Sequence, residues 1–544
     1  MPINALARLF IGRAQVSLIH GAYFDMDTFW PRACLLIIVI IMINLLLAAL
    51  FKFYQSNMKF IVKLFPEITI KSRSVKKRLV RRLHANLQII LQRIDPQIKV
   101  TRLWDRVLIE QPEANSNCYE DLVAALGNVQ GIAHVVQVQE YPLTTPEALL
   151  ETVIKVWGDA LAGKSFVVRV KRSGEHDFSS VEMERYIGKG ILESTQALKV
   201  NLHQPQMSVK IEIKDNAVFL VERRIDGIGG YPQGSQEPVL SLISGGFDSI
   251  VASYLAMKRG SKTHFLFFNL GGPEHEKGVK QAAYFLWNKY ASAAKVKFIS
   301  VPFDEVVGEL MQQVSHSHRG VVLKRMMLKV ADRVAAKLKA EALVTGESIA
   351  QVSSQTLTNL SVIDRATQRL VLRPLVTFDK QEIIDIAERI GAYELAATMP
   401  EYCGIISDKP TVRAQLSQVE AQEQNFDMNL LEKALEGTVE YSIECLAEGF
   451  VESAPTSALN PQKRLDNNQV VIDIREPFEQ QKKPLNLPGV KILTVPFYEI
   501  NKHFESLDPN QHYLLYCEKG IMSQLHALHI QDQGFKNVDV YRPE

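Results

Sequence analysis

Cysteine is scarce in this chain, and its placement excludes more than its number does. Five cysteines occur in 544 residues (Cys34, Cys118, Cys403, Cys445 and Cys517), and no two form a Cys-x-x-Cys pair. That absence argues against a disulfide scaffold, a structural zinc site and a cysteine-rich iron–sulfur site. Isolated thiols fit a reducing cytosol, where one or two can be reactive. Net charge is also nearly absent, at +2, but basic residues gather towards the N-terminal third, so the sum hides a local asymmetry. Long uncharged runs are missing with one exception. Ala33–Phe51 is 19 residues without a charge between Arg32 and Lys52, long enough to span a bilayer. It is too long for a cleavable signal and lacks the small-residue exit. The competing reading makes Met58 the start and residues 1–57 upstream sequence; from Met58 the chain reads as an ordinary soluble protein. Met58 is therefore the expected start, and a cytoplasmic location is expected over a membrane tether.

A further absence concerns the phosphate-binding signature. Ser244-Gly245-Gly246-Phe247-Asp248-Ser249 follows the apolar run Pro238–Ile243 and precedes Ile250–Lys258, which has helical apolar spacing. A strand, a Gly-Gly turn and a helix start gather free backbone N–H groups and the positive end of a helix around one anion. The hexad lacks the Lys-Ser/Thr ending of the P-loop used by kinases and GTPases. It looks instead like the pyrophosphate loop of enzymes that split ATP into AMP and pyrophosphate, adenylating an oxygen so that it can leave.

Length predicts about three to four domains, and 47% apolar with 22% charged residues is ordinary for a soluble globular protein. From Met58 the pattern reads strand (Lys59–Leu64), helix (Ser74–Ile94) and strand (Ile98–Ile109). The helix region carries Lys71, Arg73, Lys76, Lys77, Arg78, Arg81 and Arg82 within twelve residues, unrelieved by acids. Such a face tracks phosphates. Residues 111–225 alternate helical and strand patterns. Among them Arg169 and Lys171 oppose Val168 and Val170 on one strand, Arg172 follows, and Phe178–Glu182 reads as a serine-capped helix start. His176 reads as a turn histidine. Two basic modules ahead of an ATP domain point to RNA gripped by its backbone.

Asp226–Gly234 reads as a Gly/Pro connector. Beyond it, strands Leu240–Ser244, Thr263–Asn269, Lys297–Val301 and Ala342–Thr345 alternate with helices, predicting a doubly wound parallel sheet. Residues 441–465 read as a linker. The tail, 466–544, is a small α/β unit in which strand His512–Cys517 ends in a cysteine before a Gly loop and a helix (Gln524–Gln533). A thiol in that position suits a thiolate or persulfide.

Taken together, these residues resemble the tRNA 4-thiouridine synthetase (tRNA uracil 4-sulfurtransferase) family, in its long form with a C-terminal rhodanese domain. The resemblance runs from Met58 to about Pro543 and excludes residues 1–57. It rests on Lys63–Ile68, Arg169–Glu184, the Ser244–Ser249 hexad, Phe268–Gly272, Leu323–Met327, Thr345-Gly346-Glu347, Gln351–Leu357, Met399–Cys403, Asp473-Ile474-Arg475 and Cys517–Ser523. It implies a multidomain α/β and α+β chain: a ferredoxin-like domain (58–110), a THUMP RNA-binding domain (111–225), a pyrophosphatase-loop (PP-loop) ATP domain (226–440), the linker and the rhodanese domain.

The resemblance also implies site residues. Leu242, Ile243, Ser244, Gly245, Gly246 and Ser249 would cradle ATP. Asp248 would orient the loop or hold Mg²⁺, and Lys324 and Lys380 would neutralise phosphate. Phe267 and Phe268 would wall the adenine, with Gly346 and Gln355 also touching ATP. Lys76, Lys77, Arg78, Arg81, Arg82, Arg169, Lys171 and Arg172 would hold tRNA, and uridine 8 would be turned outwards. Cys517 would carry persulfide sulfur from a cysteine desulfurase, and Cys403 would form a disulfide with it, to be opened by an external thiol reductant. Cys118 and Cys445 would be structural. A homodimer, and a second role passing sulfur to a thiamine sulfur-carrier protein, complete the expectation. The rivals are another PP-loop tRNA-modifying enzyme and an RNA-binding protein with a plain sulfurtransferase tail.

Overall fold

The computed structural model describes residues 58–103, 106–111, 118–270, 272–399 and 409–447, and most of 462–543. Ala33–Phe51 and Cys403 lie outside the described residues. No helix among those described is long and apolar enough to cross a membrane.

The N-terminal region is one eight-stranded sheet in the order β2-β3-β1-β4-β8-β7-β5-β6. Its strands are β1 (Met58–Leu64), β2 (Lys99–Arg102), β3 (Val107–Gln111), β4 (Ile132–Pro142), β5 (Ser165–Ser173), β6 (Lys199–Val200), β7 (Met207–Lys214) and β8 (Ala217–Gly229). The single strand expected over Ile98–Ile109 is two antiparallel strands, Lys99 opposite Glu110 and Arg102 opposite Val107. Leu103 N–H donates to Arg106 C=O at 2.9 Å, closing the turn; the segment holds no Gly or Pro, and Leu103 and Trp104 keep it apolar enough to read as strand. Helix Arg73–Ile94 buries Leu79, Leu83, Leu87 and Leu91 on one side, the i, i+4 stripe of an amphipathic helix. Helix Tyr119–Asn128 adds Leu122 and Leu126 to the same core. A second core under β5, β7 and β8 takes helices Pro146–Leu161 and Ser180–Ser194. Ser179 caps the latter in a capping box with Glu182, as the sequence reading expected. The supposed connector Asp226–Gly234 begins inside β8, because Asp226 and Gly229 still pair with β4.

The second sheet has the order β13-β12-β9-β10-β11-β14, from β9 (Gln236–Leu242), β10 (Ser261–Asn269), β11 (Lys297–Pro302), β12 (Ala342–Val344), β13 (Leu370–Leu372) and β14 (Val439–Ser442). All are parallel except β14, which runs antiparallel on β11. The chain proceeds outward from β9 to β11, then returns to lay β12 on the other side of β9. Strand order reverses there, and ligands of doubly wound sheets bind at that crevice. Cores pack both faces of this sheet, one including Leu240, Ile299 and Met326, the others Phe265, Ile250 and Val251. The expected linker residues Tyr441 and Ser442 belong to β14 and Ile443 is fully buried, so the ATP domain extends past them.

The tail is a four-stranded parallel sheet in the order β16-β15-β17-β18, from β15 (Gln469–Asp473), β16 (Lys491–Thr494), β17 (His512–Tyr516) and β18 (Val538–Val540). Phe497 packs against the core of the ATP domain, and Leu270 packs into that of the tail.

Candidate active site

The hexad sits where β9 ends and helix Phe247–Lys258 begins. Gly245 has φ +84, a left-handed conformation, and a Cβ there would fall 2.8 Å from Met399 Sδ. Gly246 is the N-cap of the helix and no side chain caps it, so the first-turn N–H groups are left for a ligand anion. Ser249 turns inward: its Oγ accepts from Ser244 N–H at 3.1 Å and donates to Gly246 C=O at 3.0 Å. It holds the loop's shape. Gly346, just past β12, lies so close that an added Cβ would meet Asp248 C at 2.6 Å and Ser249 N at 2.8 Å.

A cavity of about 520 Å³ opens above this turn, a size suited to a small-molecule ligand. Leu242, Ile243, Ser244, Gly246 and Ser249 line its floor, and Phe267, Phe268, Lys324, Gly346 and Gln355 its walls. The two phenylalanines are core residues, 1% and 7% exposed. Gln355 is buried, and its Oε1 has no hydrogen-bond partner among the described residues. An orphaned acceptor facing a cavity is satisfied by a ligand donor such as an exocyclic amine.

Charges around the cavity are paired. Asp248 Oδ1 accepts from Lys380 Nζ at 2.8 Å and Oδ2 from Gln351 Nε2 at 2.8 Å. The Lys380 ammonium also lies 5.6 Å from the centre of the Phe247 ring. Glu347 is buried and accepts from Lys324 at 2.9 Å, Arg373 Nε at 2.6 Å and Thr345 Oγ1 at 2.9 Å. Burial alone would raise its pKa, but the charges of Lys324 and Arg373 prevail and hold it down to about 2. Arg373 continues to Asp364 at 2.6 Å. His275 packs edge-on to Phe267 and meets Ser244 C=O with Nε2 at 3.2 Å, so that nitrogen carries the proton. Burial pushes its pKa down to about 4, leaving it neutral. The sequence reading missed Gln351, Glu347 and Arg373 as partners. Glu347 and Gln351 both lie in segments that carry the family resemblance, but Arg373 and Asp364 come from other segments and give no local signal.

An ATP molecule fits the uncapped helix start, the Gly245 cradle and the orphaned Gln355 acceptor. A protein-built Mg²⁺ site does not fit. Both Asp248 oxygens are engaged by Lys380 and Gln351, and no group of three His, Cys, Asp or Glu among the described residues could hold a metal. An ion arriving with nucleotide would be held mainly by phosphate and water.

In the tail, Cys517 follows β17 as a free thiol; its Sγ donates to Ser523 Oγ and accepts from Ser523 N–H, both at 3.4 Å. Beneath it the buried pair Asp473–Arg475 closes at 2.7 Å, with the Arg475 guanidinium 5.1 Å from the centre of the Tyr516 ring. Cys403 lies outside the described residues; in the ATP domain, Met399 packs on Gly245, and Pro410 and Thr411 line the cavity. Cys118 is half-buried and Cys445 exposed.

On the basic surface, Lys77, Arg78, Arg81 and Arg82 are exposed along helix Arg73–Ile94, and Lys76 is half-buried. Lys171 is exposed as well. Arg169 is exposed too, with one nitrogen bonding Leu202 C=O at 3.1 Å, and half-buried Arg172 bonds His176 C=O at 3.3 Å. His176 is the expected turn residue, its Nε2 meeting Asp215 C=O at 2.8 Å.

Family profiles match the chain in four places: the ThiI ferredoxin-like domain over residues 59–135, the THUMP domain over 144–221, the thiamine biosynthesis protein (ThiI) over 234–428 and the rhodanese-like domain over 459–542. A tRNA sulfurtransferase of Shewanella oneidensis is 48% identical over 486 residues, covering 89% of this chain and 100% of the relative. One from Shewanella piezotolerans is 49% identical over 489 residues, with the same 89% and 100% coverage. A crystal structure of a 4-thiouridine synthetase in complex with RNA and bound ATP superposes with a TM-score of 0.62 at 26% identity, covering 71% of this chain and 99% of that one. With four matched domains in sequence and near-half identity along the full length of its relatives, the chain belongs to the ThiI family of tRNA sulfurtransferases.

Proposed function

We propose that this chain uses ATP to replace O4 of uridine 8 in tRNA by sulfur, giving 4-thiouridine. The observation that carries the reading is the pairing, in one chain of this family, of a phosphate-cradling cavity with a free strand-end thiol on a separate domain. The uncapped helix start, with Gly245 and Gly246, would hold the nucleotide phosphates, and Gln355 would accept from the base. Lys324 and Lys380 would offset phosphate charge, each already aimed by a carboxylate. Uridine O4 attacks the α-phosphate; the α–β bond breaks, pyrophosphate leaves and the uridine N3 proton is lost. The adenylated base now carries AMP as leaving group at C4.

Sulfur comes from a cysteine desulfurase as a persulfide on Cys517. The Cys403 thiolate attacks the Cys517 sulfur, a disulfide forms, and the outer sulfur departs as hydrosulfide. That sulfide adds at C4 and AMP leaves with the electron pair of the C4–O bond; the hydrosulfide proton passes to N3, giving the thiocarbonyl. Two electrons from an external dithiol reopen the disulfide. Lys77, Arg78, Arg81, Arg82 and Lys171, with half-buried Lys76, would track tRNA phosphates; Arg169 and Arg172 would shape the adjoining surface. The rhodanese domain and the family description together also support delivery of sulfur to a thiamine sulfur-carrier protein.

The test is nucleoside mass spectrometry of tRNA from cells in which the chain carries Cys517→Ser. The expected result is loss of 4-thiouridine with tRNA-dependent pyrophosphate release retained. Unchanged 4-thiouridine would remove Cys517 from the sulfur route.

A further inference from the structure

Large aliphatic side chains are exposed together beside the cavity, and neither the ATP chemistry nor the fold uses them. Ile349, Leu357 and Val412 are 40%, 65% and 53% exposed, and Val352 next to them 49%. They come from two segments stapled to each other: Thr356 Oγ1 donates to Val412 C=O at 2.8 Å, and Asn359 Nδ2 donates to Thr411 C=O at 2.8 Å and Ser353 C=O at 2.7 Å. Asn359 itself is fully buried and its Oδ1 accepts from Ala414 N–H at 2.9 Å. The patch is thus rigid, and it borders the cavity directly, since Val352, Pro410 and Thr411 line it. Ala350 in the same loop has φ +62, a conformation that non-glycine residues rarely adopt. Exposed aliphatic residues held together at the mouth of a site mark an interaction surface.

We propose that this rim is where the cysteine loop of the tail domain docks to deliver sulfur, with Ile521 and Met522, between Cys517 and Ser523 in sequence, as the apolar partners. The inference rests on the function proposed above, which requires Cys517 sulfur to reach the cavity. In the described arrangement the tail touches the ATP domain elsewhere, through Phe497 and Leu270, and the rim side chains are exposed. Leu270 lines the cavity, so that seat and the rim both border it. The 14 residues 448–461 between Ala447 and Gln462 reach at most roughly 45–50 Å when extended, sufficient for the tail to transfer between such neighbouring positions. The rim's chemistry favours a protein loop over RNA. It is aliphatic, whereas single-stranded RNA is held by aromatic stacking and cations. Exposed Lys409 and Arg413 flank Val412 in the chain at its border.

The test uses the full chain with Leu357→Ser and Val412→Ser combined, neither residue lining the cavity. Three quantities are read against wild type: tRNA-dependent pyrophosphate release, persulfide on Cys517 after loading by a cysteine desulfurase, and the single-turnover rate of sulfur transfer to tRNA. The first two are expected within about twofold, and transfer about tenfold slower, the scale of losing one well-packed contact from an interface. Leu357→Met with Val412→Ile, which keeps the rim apolar, is expected to transfer at the wild-type rate. Unchanged transfer in the serine variant overturns the proposal. So does a parallel fall in pyrophosphate release, which would assign the rim to RNA. A wild-type enzyme that thiolates without ATP would instead overturn the underlying function, whatever the variant does.

Discussion

Asp248 shows how much chemistry one side chain organises. Its two oxygens hold Lys380 and Gln351 at 2.8 Å each, so its role is to aim a cation and a loop at the cavity. Asp248→Asn keeps an acceptor for Gln351 but loses the ion pair, while Asp248→Ala loses both. The expected order of tRNA-dependent pyrophosphate release is wild type, then Asn lower by about tenfold, then Ala lower by about a hundredfold or more, since hydrogen bonds to charged groups are worth roughly 1.5–3 kcal/mol each. Equal rates for Asn and Ala would show that the ion pair, and not the Gln351 contact, is what counts. At this scale the hexad was legible because its residues are contiguous and each has one physical task. The network behind it was not. Glu347 depends on Arg373, which arrives from the end of β13, and nothing in a linear pattern records that two distant segments share a buried charge.

Between elements, close approach sets the site. Gly346 admits no side chain because backbone atoms of Asp248 and Ser249 would lie within 2.8 Å of a Cβ. Gly346→Ala is expected to push β12 and helix Phe247–Lys258 apart, lowering stability by about 1–3 kcal/mol and raising the KM for ATP; urea titration and steady-state kinetics measure each. An alanine enzyme with unchanged KM would show that the phosphate cradle does not depend on this packing.

The parallel sheet carries its own pH dependence. On β10, the Nδ1 of His264 accepts from Lys297 N–H on β11 at 3.0 Å. Burial, with nearby Lys262 and Lys297, pushes its pKa down from 6.5 to about 4, and His275 is pushed down similarly. Between those values the unfolded chain binds more protons than the folded one, so stability falls as pH drops from about 6.5 towards 4 and is fully present above 6.5. Thermal melts across that window are expected to show the decline, and a smaller one in His264→Asn; identical profiles would contradict it. The alternation of β5 and the cap at Ser179 were readable as period and spacing. The β2–β3 turn was not, because it holds no Gly or Pro and Leu103 and Trp104 sit where a continuous strand would also place apolar residues.

For the molecule as a whole, the account joins two chemistries that never share an element: phosphate binding on the second sheet and thiol chemistry on the third. Their separation was legible from the strand, turn and helix pattern repeated around Gly245 and around Cys517. The continuity of the first sheet across both N-terminal modules was not, because strand order is a property of pairing and leaves no periodic mark. The central claim is that O4 of the uridine is activated by attachment to the α-phosphate of ATP. It is tested most directly with tRNA carrying ¹⁸O at O4 of uridine 8, followed through one turnover by mass spectrometry of the products. The account predicts the label in the phosphate of AMP. Label in pyrophosphate, inorganic phosphate or solvent water would contradict it.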